Sequence, residues 1–328
     1  KSGRWPSLIQ RPYGIIANPA IEPKSIFISA FATAPLAAVP EFAFKDEIED
    51  IQTGVNALAK LTNGGVHFSL SSENYSGTPL HKIENVIQHV FSGKHPAGNV
   101  GVQISHISPI MKGDTVWTVS LLLVAAIGKL FNTGKYDMTR KVAVTGPKAI
   151  DPSYVDALPG IAMKDLKEFY DNSANDLRFI SGDVLTGESV GENGFLGFFD
   201  NQVTFLHEGT EREVLGWAKP FRCKKFSSSH TYFSWLTPKK TYDMDTNFNG
   251  GPRAFVMSDV YSKVLPMDIY PVYLAKACLA GDIDKMEKFG IYEVLPEDLA
   301  LCEYVDPSKN DIQEMIQKGI DLMLKEMA

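Results

Sequence analysis

The strongest constraint on the fold is one stretch of about fifty residues that switches hydrophobic period twice. Ser25-Ile-Phe-Ile-Ser29 is a compact apolar run suited to a buried strand. Between Lys45 and Leu61 the apolar residues Ile48, Ile51, Val55 and Leu58 recur at three- and four-residue spacing, with Asp46, Glu47, Glu49 and Asp50 in the first turns, where acids favour the helix dipole. Asn63-Gly64-Gly65 ends that helix, and Val66-His-Phe-Ser-Leu70 returns to the alternation of a strand. Strand, amphipathic helix and strand in this order make a β-α-β unit, which needs a sheet with a helix laid across it. A second helical stretch, Val119 to Phe131, leads into the strand-like Lys141-Val-Ala-Val-Thr145.

From about Tyr154 the pattern becomes short alternating segments between Gly and Asn turns, the signature of a smaller β-rich unit. Asn201 to Trp217 reads as a hairpin turning at Glu208-Gly209-Thr210, and Lys239 to Pro252 as a loop. The last segment is punctuated for helices: Pro271 at a first helical position, Gly281 and Gly290 as stops, and Pro296 opening a third helix. Ser308 is placed to cap a fourth, with Asp311 three residues later and Ile312, Met315, Ile316, Ile320, Met323 and Met327 along one face. The expected organisation is an α/β and α+β multidomain chain divided at 1–149, 150–256 and 257–328.

Composition narrows the function. Thirty-nine acids against 32 bases leave a net charge of −7 over 328 residues, the wrong sign for gathering phosphates, so nucleic acid is not an expected partner. The three cysteines, Cys223, Cys278 and Cys302, are too few and too scattered for a disulfide framework or an iron–sulfur ligand set. No apolar run approaches the ~20 residues that span a bilayer. The opening Lys1-Ser-Gly-Arg-Trp5 has neither an initiator Met nor a signal-peptide pattern, and reads as a fragment whose beginning is elsewhere.

The most distinctive segment is Ser92-Gly-Lys-His-Pro-Ala-Gly-Asn-Val-Gly101, whose glycines, histidine and amide can bring backbone N–H groups close to a ligand. Its spacing matches neither G-x-G-x-x-G nor a Walker loop, so a structural turn and a ligand loop are both open. Gly191, Gly194 and Gly197 suit a bulged hairpin. His81 with His89, or His95 with His106, could pair on a metal, but no H-E-x-x-H or cysteine partner accompanies them and no metal is expected. Ser227-Ser-Ser-His230 lacks a nucleophile elbow and reads as a polar strand end. Trp117 and the pair Phe198-Phe199 could stack on a flat ligand, or simply belong to a core.

Taken together, Gly93 to Gly101, Thr115-Val-Trp117, Ala126-Ile-Gly-Lys-Leu-Phe131, Ile180-Ser-Gly-Asp-Val-Leu-Thr-Gly187, Gly251-Pro-Arg-Ala254, Lys263-Val-Leu-Pro-Met-Asp-Ile269 and Glu297-Asp-Leu-Ala-Leu-Cys302 appear in the order and at the intervals of the A subunits of the sodium-translocating NADH:quinone oxidoreductases (Na+-NQR), which the whole chain resembles. The resemblance implies a fold similar to the flavin-bearing subunit of respiratory complex I: a Rossmann-like domain, a β-grasp domain of the SLBB, ubiquitin-like type, and a C-terminal helical bundle. It also implies an additional N-terminal region. In the complex I relative, the stretch matching Ser2 to Tyr13 is a glycine-rich flavin-phosphate loop, and the stretch matching Ala30 to Glu41 is rich in acids. Here the first holds one glycine and Pro6, and Ala30 to Pro40 holds no acid, which argues against flavin or NADH in this chain. The relative's iron–sulfur cluster needs four thiolates where this bundle has Cys278 and Cys302, and the family's frequent second cysteine is here Asp306.

The role implied is that of a peripheral subunit on the cytoplasmic face of the bacterial inner membrane, docked on the membrane subunits, the B subunit foremost, with flavins and Fe–S groups carried by other subunits. Quinone access or complex assembly would be its share of a sodium-pumping NADH:quinone reductase. Quinone contact would fall to His95, Gly98, Asn99, His106 and Trp117, since a quinone needs a hydrogen-bond donor at each carbonyl and a flat apolar wall; the alternative is that these residues shape an interface or a turn. The alternatives are a pure docking scaffold without a ligand and an independent flavin or NADH enzyme, which would be yellow.

Overall fold

The computed structural model describes residues 3–327 apart from 74, 76, 172–175, 211–215, 217–224, 228–229, 231 and 257–258. The first sheet contains β1 (Ile9–Arg11), β2 (Ile15–Ile16), β3 (Ile26–Ser29), β4 (Val66–Ser71), β5 (Ile87–Phe91) and β6 (Val116–Thr118) in the order β2-β1-β6-β3-β4-β5. β6, β3, β4 and β5 run parallel, and the β1–β2 hairpin is added antiparallel beside β6. The connections carry α1 (Pro40–Ala43) and α2 (Ile48–Leu58) after β3, α3 (Val100–Ile107) after β5 and α4 (Leu121–Thr133) after β6. The β-α-β unit read from the sequence is therefore β3-α2-β4.

Successive residues of a strand face opposite sides, and β3 uses both. Ile26 and Ile28 enter one core with Ile51, Val55 and Leu58 of α2 and Leu121 and Val124 of α4. Phe27 points the other way, into a core shared with Val116, Ile104 of α3 and the C-terminal helices. This sheet is thus covered on both faces, as a parallel sheet must be.

The second sheet contains β7 (Arg140–Thr145), β8 (Ser153–Ala157), β9 (Leu177–Ser181), β10 (Glu188–Ser189) and β11 (Gln202–His207) in the order β10-β9-β11-β7-β8. Its central pair, β11 and β7, is parallel and the others are antiparallel. Val142, Val144, Val203 and Phe205 meet Met163, Tyr170 and Phe179 in its core. Two expectations need adjustment. Lys141 to Thr145 falls within the first unit as divided from the sequence, but β7 pairs with β8 and β11, so the second sheet begins before residue 149. The strand is recognisable locally, but its partner β11 lies about sixty residues on, beyond any local signal. In the expected hairpin 201–217, the first arm is β11, whose neighbours are β7 and β9; the return arm lies outside the described residues apart from Gly216.

The C-terminal part contains α5 (Pro271–Ala280), α6 (Ile283–Phe289), α7 (Ala300–Val305) and α8 (Ile312–Met327). Ile312, Ile316, Ile320 and Met323 form the buried stripe of α8 and pack with Leu274, Ile291 and Leu299. α8 is capped by Asp311, whose Oδ1 accepts the Glu314 N–H at 2.9 Å, and not by Ser308. Ser308 is buried one turn earlier, its own N–H donating to Asp306 Oδ1. Among the described residues no helix is long and apolar enough to cross a membrane.

Candidate functional site

The segment Gly93 to Gly101 runs from the end of β5 into the first turn of α3, where it meets the loop leaving β3, the β1 strand and the C-terminal helices. Its upper surface touches the β3 loop. Gly98 N–H donates to Thr33 Oγ1 at 2.9 Å, Ser29 Oγ donates to the Gly98 carbonyl at 3.0 Å, and Gln103 Nε2 donates to Ser29 Oγ and the Ala97 carbonyl. A Cβ on Gly98 would stand 2.7 Å from Thr33 Oγ1 and 2.8 Å from Thr33 N, so only glycine allows this approach.

The lower surface rests on an ion-pair cluster that the sequence did not announce. Arg11, at the end of β1 and 1% exposed, donates Nη1 to Asp298 Oδ2 at 2.9 Å and Nη2 to Glu297 Oε1 at 2.5 Å. Burial alone would lower the Arg11 pKa, but the two carboxylates outweigh it and hold the guanidinium charged. A Cβ on Gly101 would fall 2.2 Å from Asp298 Oδ2 and 2.4 Å from Arg11 Nη1. Asn99 Nδ2 donates to the Glu297 carbonyl beside them at 3.1 Å.

His95 sits half-buried against the same loop, its Nδ1 3.2 Å from Thr33 Oγ1. The same hydroxyl accepts the Gly98 N–H at 2.9 Å. Nε2 is buried and meets no acceptor among the described residues. Burial lowers the His95 pKa against the opposing pull of Asp183 and Asp298, so the ring is neutral near pH 7 and offers one donor.

Gly98 and Asn99 also form part of the wall of a cleft of roughly 430 Å3 between the two sheets. The cleft lies at the carboxyl end of β3, beside β6, where the succession of parallel strands reverses, a position where open α/β sheets bind ligands. The loop from Phe31 to Pro40 forms one side and β9, β11 and Phe199 the other. Gln202 Oε1 accepts the Ala38 N–H at 2.9 Å and Tyr154 Oη accepts the Val39 N–H at 2.7 Å, tying this rim to the second sheet. Asp183, Glu188 and Asp200 line the cleft and, among the described residues, no Lys or Arg does. Such a wall does not fit a phosphorylated cofactor, whose charge it would repel.

Of the five residues expected to contact quinone, Gly98 and Asn99 line the cleft, and His95 lies on the same loop against Thr33 without lining it. His106 is two turns along α3, with its Nδ1 2.9 Å from the Val102 carbonyl and its ring edge-on to Phe91. Trp117 is 2% exposed in the core, edge-on to Trp5 at 5.5 Å, and forms no wall of the cleft. Phe31 and Phe199 supply the aromatic surface there, while Phe198 is turned edge-on to Phe199.

The other candidates have local roles. His81 Nδ1 bonds the Thr78 carbonyl, and His89 Nε2 lies 2.9 Å from His67 Nδ1. Among the described residues no three His, Cys, Asp or Glu side chains are grouped to hold a metal. Gly191 and Gly194 close a turn, and a Cβ on Gly197 would lie 2.5 Å from Asp200 Oδ2. Ser227 N–H donates to Ser234 Oγ, and residues 228–229 lie outside the described set. Cys278 and Cys302 are buried in the helical core, where burial pushes each thiol up to about 12, and they do not fit as cluster ligands. Cys223 lies outside the described residues.

Comparison with known proteins adds to this geometry. Residues 1–136 match the family model described as the NqrA second alpha/beta domain. The chain is similar to the A subunit of the Na(+)-translocating NADH-quinone reductase of Rhodopirellula baltica, with 35% identity over 325 residues, 99% of this chain and 71% of that protein. The same-named proteins of Alcanivorax borkumensis and Vibrio atlanticus are 37% and 34% identical over 97% and 99% of this chain, and 70% and 72% of their own lengths. An NAD+-reducing [NiFe]-hydrogenase in its H2-reduced state overlaps 94% of this chain and 56% of its own at 9% identity and a TM-score of 0.44, too loosely to bear on the fold.

Proposed function

Since the chain belongs to the A-subunit family of the Na(+)-translocating NADH-quinone reductases, we propose that it is a peripheral component of such a sodium-pumping complex, docked on the membrane subunits at the cytoplasmic face, with the B subunit as its neighbour. The observation that carries this reading is identity above one third over nearly the entire chain. On this reading the chain holds no flavin, Fe–S group or NADH, and other subunits carry the redox chemistry.

The strand orders support the finer fold assignments. The parallel set β5-β4-β3-β6 has the 3-2-1-4 order of half a Rossmann-like sheet. In the second unit, β8-β7-β11-β9-β10 has the 2-1-5-3-4 order, with a parallel central pair, of a β-grasp domain of the SLBB type. The stretch Ser2 to Tyr13, which the resemblance aligns with a flavin-phosphate loop, here leads through a short hairpin whose Arg11 is paired with Asp298 and Glu297.

Quinone access is the share of function proposed for the cleft. A quinone is neutral, so the acidic wall does not exclude it, and Phe31 and Phe199 supply flat apolar surface in the lining. A photoreactive quinone analogue added to the assembled complex is expected to label peptides containing His95 or residues 31–40. Labelling confined to other subunits would refute this assignment while leaving membership of the complex intact.

The pure scaffold has its own supporting observation, the use of both faces of Gly98 to Gly101 for packing. Capture of the membrane subunits with no saturable quinone binding by this chain would favour it. Purified protein is expected to be colourless, and absorbance near ~450 nm would revive the flavin enzyme.

A further inference from the structure

Between Glu213 and Asp243 the sequence carries Lys219, Arg222, Lys224, Lys225, Lys239 and Lys240 and no Asp or Glu, in a chain whose net charge is −7. The same stretch holds Phe226, Tyr232, Phe233, Trp235 and Leu236. It is an excursion from the second sheet. The chain leaves at the end of β11 and is back beside it at Asp245, which bridges to His207, and the Thr246 N–H donates to the His207 carbonyl at 3.3 Å.

Within the excursion, the turn Phe233–Leu236 is built inside out. Ser234 is buried, its Oγ accepting the Ser227 N–H at 3.1 Å, whereas Phe233, Trp235 and Leu236 are 67%, 51% and 59% exposed. The hydrophobic effect drives such side chains inward. A turn that gives its inward position to a serine and displays three large apolar groups in four residues therefore marks a contact surface. Its backbone is closed on itself, with the Thr237 N–H donating to the Ser234 carbonyl at 3.1 Å and the Lys240 N–H to the Thr237 carbonyl at 3.0 Å, so these groups can enter an apolar medium without being stranded. Tyr232 Oη donates to the Gly216 carbonyl at 3.2 Å and fixes the entry to the turn. Lys239 and Lys240 follow directly and are exposed, with Lys240 Nζ 5.2 Å from the centre of the Tyr242 ring. Lys225, further back, is paired with Asp245 at 3.3 Å.

We propose that the turn Phe233–Leu236, with Lys239 and Lys240 beside it, seats on a bilayer surface that carries anionic headgroups. The phenyl, indole and leucine side chains enter the boundary between headgroups and acyl chains, and the ammonium groups stay among the lipid phosphates. Charge favours a lipid surface over a protein one. A chain of net charge −7 is repelled as a whole by an anionic membrane, but charges beyond a Debye length of ~8 Å are largely screened, so attraction is confined to the one stretch that is rich in cations and free of acids. The approach is thereby oriented, with the apolar turn leading. This inference rests on the peripheral docking proposed above for the presence of a membrane, and adds to it a direct contact with lipid.

Flotation of the intact chain with lipid vesicles tests this in the absence of any membrane subunit. The wild type is expected to float with vesicles of equimolar phosphatidylcholine and phosphatidylglycerol, to stay behind with phosphatidylcholine alone, and to be released as salt is raised. Phe233→Ser combined with Trp235→Ser and Leu236→Ser is expected to weaken binding by at least about tenfold. Lys239→Gln is expected to weaken it about fivefold. Far-ultraviolet circular dichroism checks that the variants are folded, and if one is not, the wild-type comparison of the two vesicles decides by itself. A wild type that floats with neither vesicle or equally with both, or a folded triple variant that floats as well as the wild type, overturns the proposal. If the wild type ignores vesicles and the triple variant loses capture of the detergent-solubilised membrane subunits, the turn is a protein contact, which overturns the lipid contact and leaves membership of the complex intact.

Discussion

Replacing Arg11 by methionine tests how the first sheet is held to the C-terminal helices. Arg11 has two acidic partners, and the shorter contact is the weaker. Glu297 is 2.5 Å away, but its side chain is 47% exposed, so water screens the pair and its share is at most about 1 kcal/mol. Asp298 is 2.9 Å away with a side chain 0% exposed, and Arg11→Met leaves that carboxylate buried without a counter-charge, at a cost of about 3–5 kcal/mol. Glu297→Gln is therefore expected to be nearly silent. Arg11→Met combined with Asp298→Asn should recover most of the loss, because it removes the stranded charge while the amide oxygen still accepts the Leu295 N–H. The assay is urea unfolding followed by tryptophan fluorescence, to which Trp5 and Trp117 contribute from the first sheet, and by far-ultraviolet circular dichroism, which also sees the helices. Loss of less than about 1 kcal/mol in Arg11→Met, or a double variant worse than the single by a similar amount again, would refute the reasoning.

Gly98→Ala places a methyl group 2.7 Å from Thr33 Oγ1, and overpacking of this kind should cost about 1–3 kcal/mol by the same unfolding assay. His95, His67 and His89 all have pKa values lowered chiefly by burial, so the unfolded chain binds more protons than the folded one near neutrality. Stability should be complete above the unfolded value of ~6.5 and decline as pH falls below it, and His95→Gln should flatten a plot of melting temperature against pH. Cys278 and Cys302, pushed up to about 12, have a thiolate fraction on the order of 1 in 10,000 at pH 8, so a thiol reagent should label their peptides only after denaturant is added, as read by mass spectrometry.

What could be read from the sequence was local. The periodicity of Ile48, Ile51, Val55 and Leu58 identifies α2, and Gly281 and Gly290, both in the left-handed region, end α5 and α6 as expected. Long-range pairing is hidden. Nothing near Arg11 points to an aspartate 287 residues away, and nothing in Arg140 to Thr145 points to β11. Trp117 offers two environments to a sequence reading, and register settles it: Val116 faces the helical core, so its neighbour faces α2 and α4. At the site, His95, Gly98 and Asn99 stand out because glycine and amide residues concentrate there. Thr33 is an ordinary loop residue in sequence and acquires its role only when β3 is laid beside α3.

The two glycines of the loop have a mechanical consequence. Gly98 abuts Thr33 on one side and Gly101 abuts Asp298 on the other, so a single layer of peptide is the shim between the C-terminal helices and the rim of the cleft. Neither glycine puts a side chain between the loop and these neighbours, and close-packed interiors compress little. A displacement of the turn Pro296–Leu299 is therefore expected to be felt at Thr33, on the wall of the cleft. Docking at the helices, on the function proposed above, would then be linked to the cleft mouth through backbone.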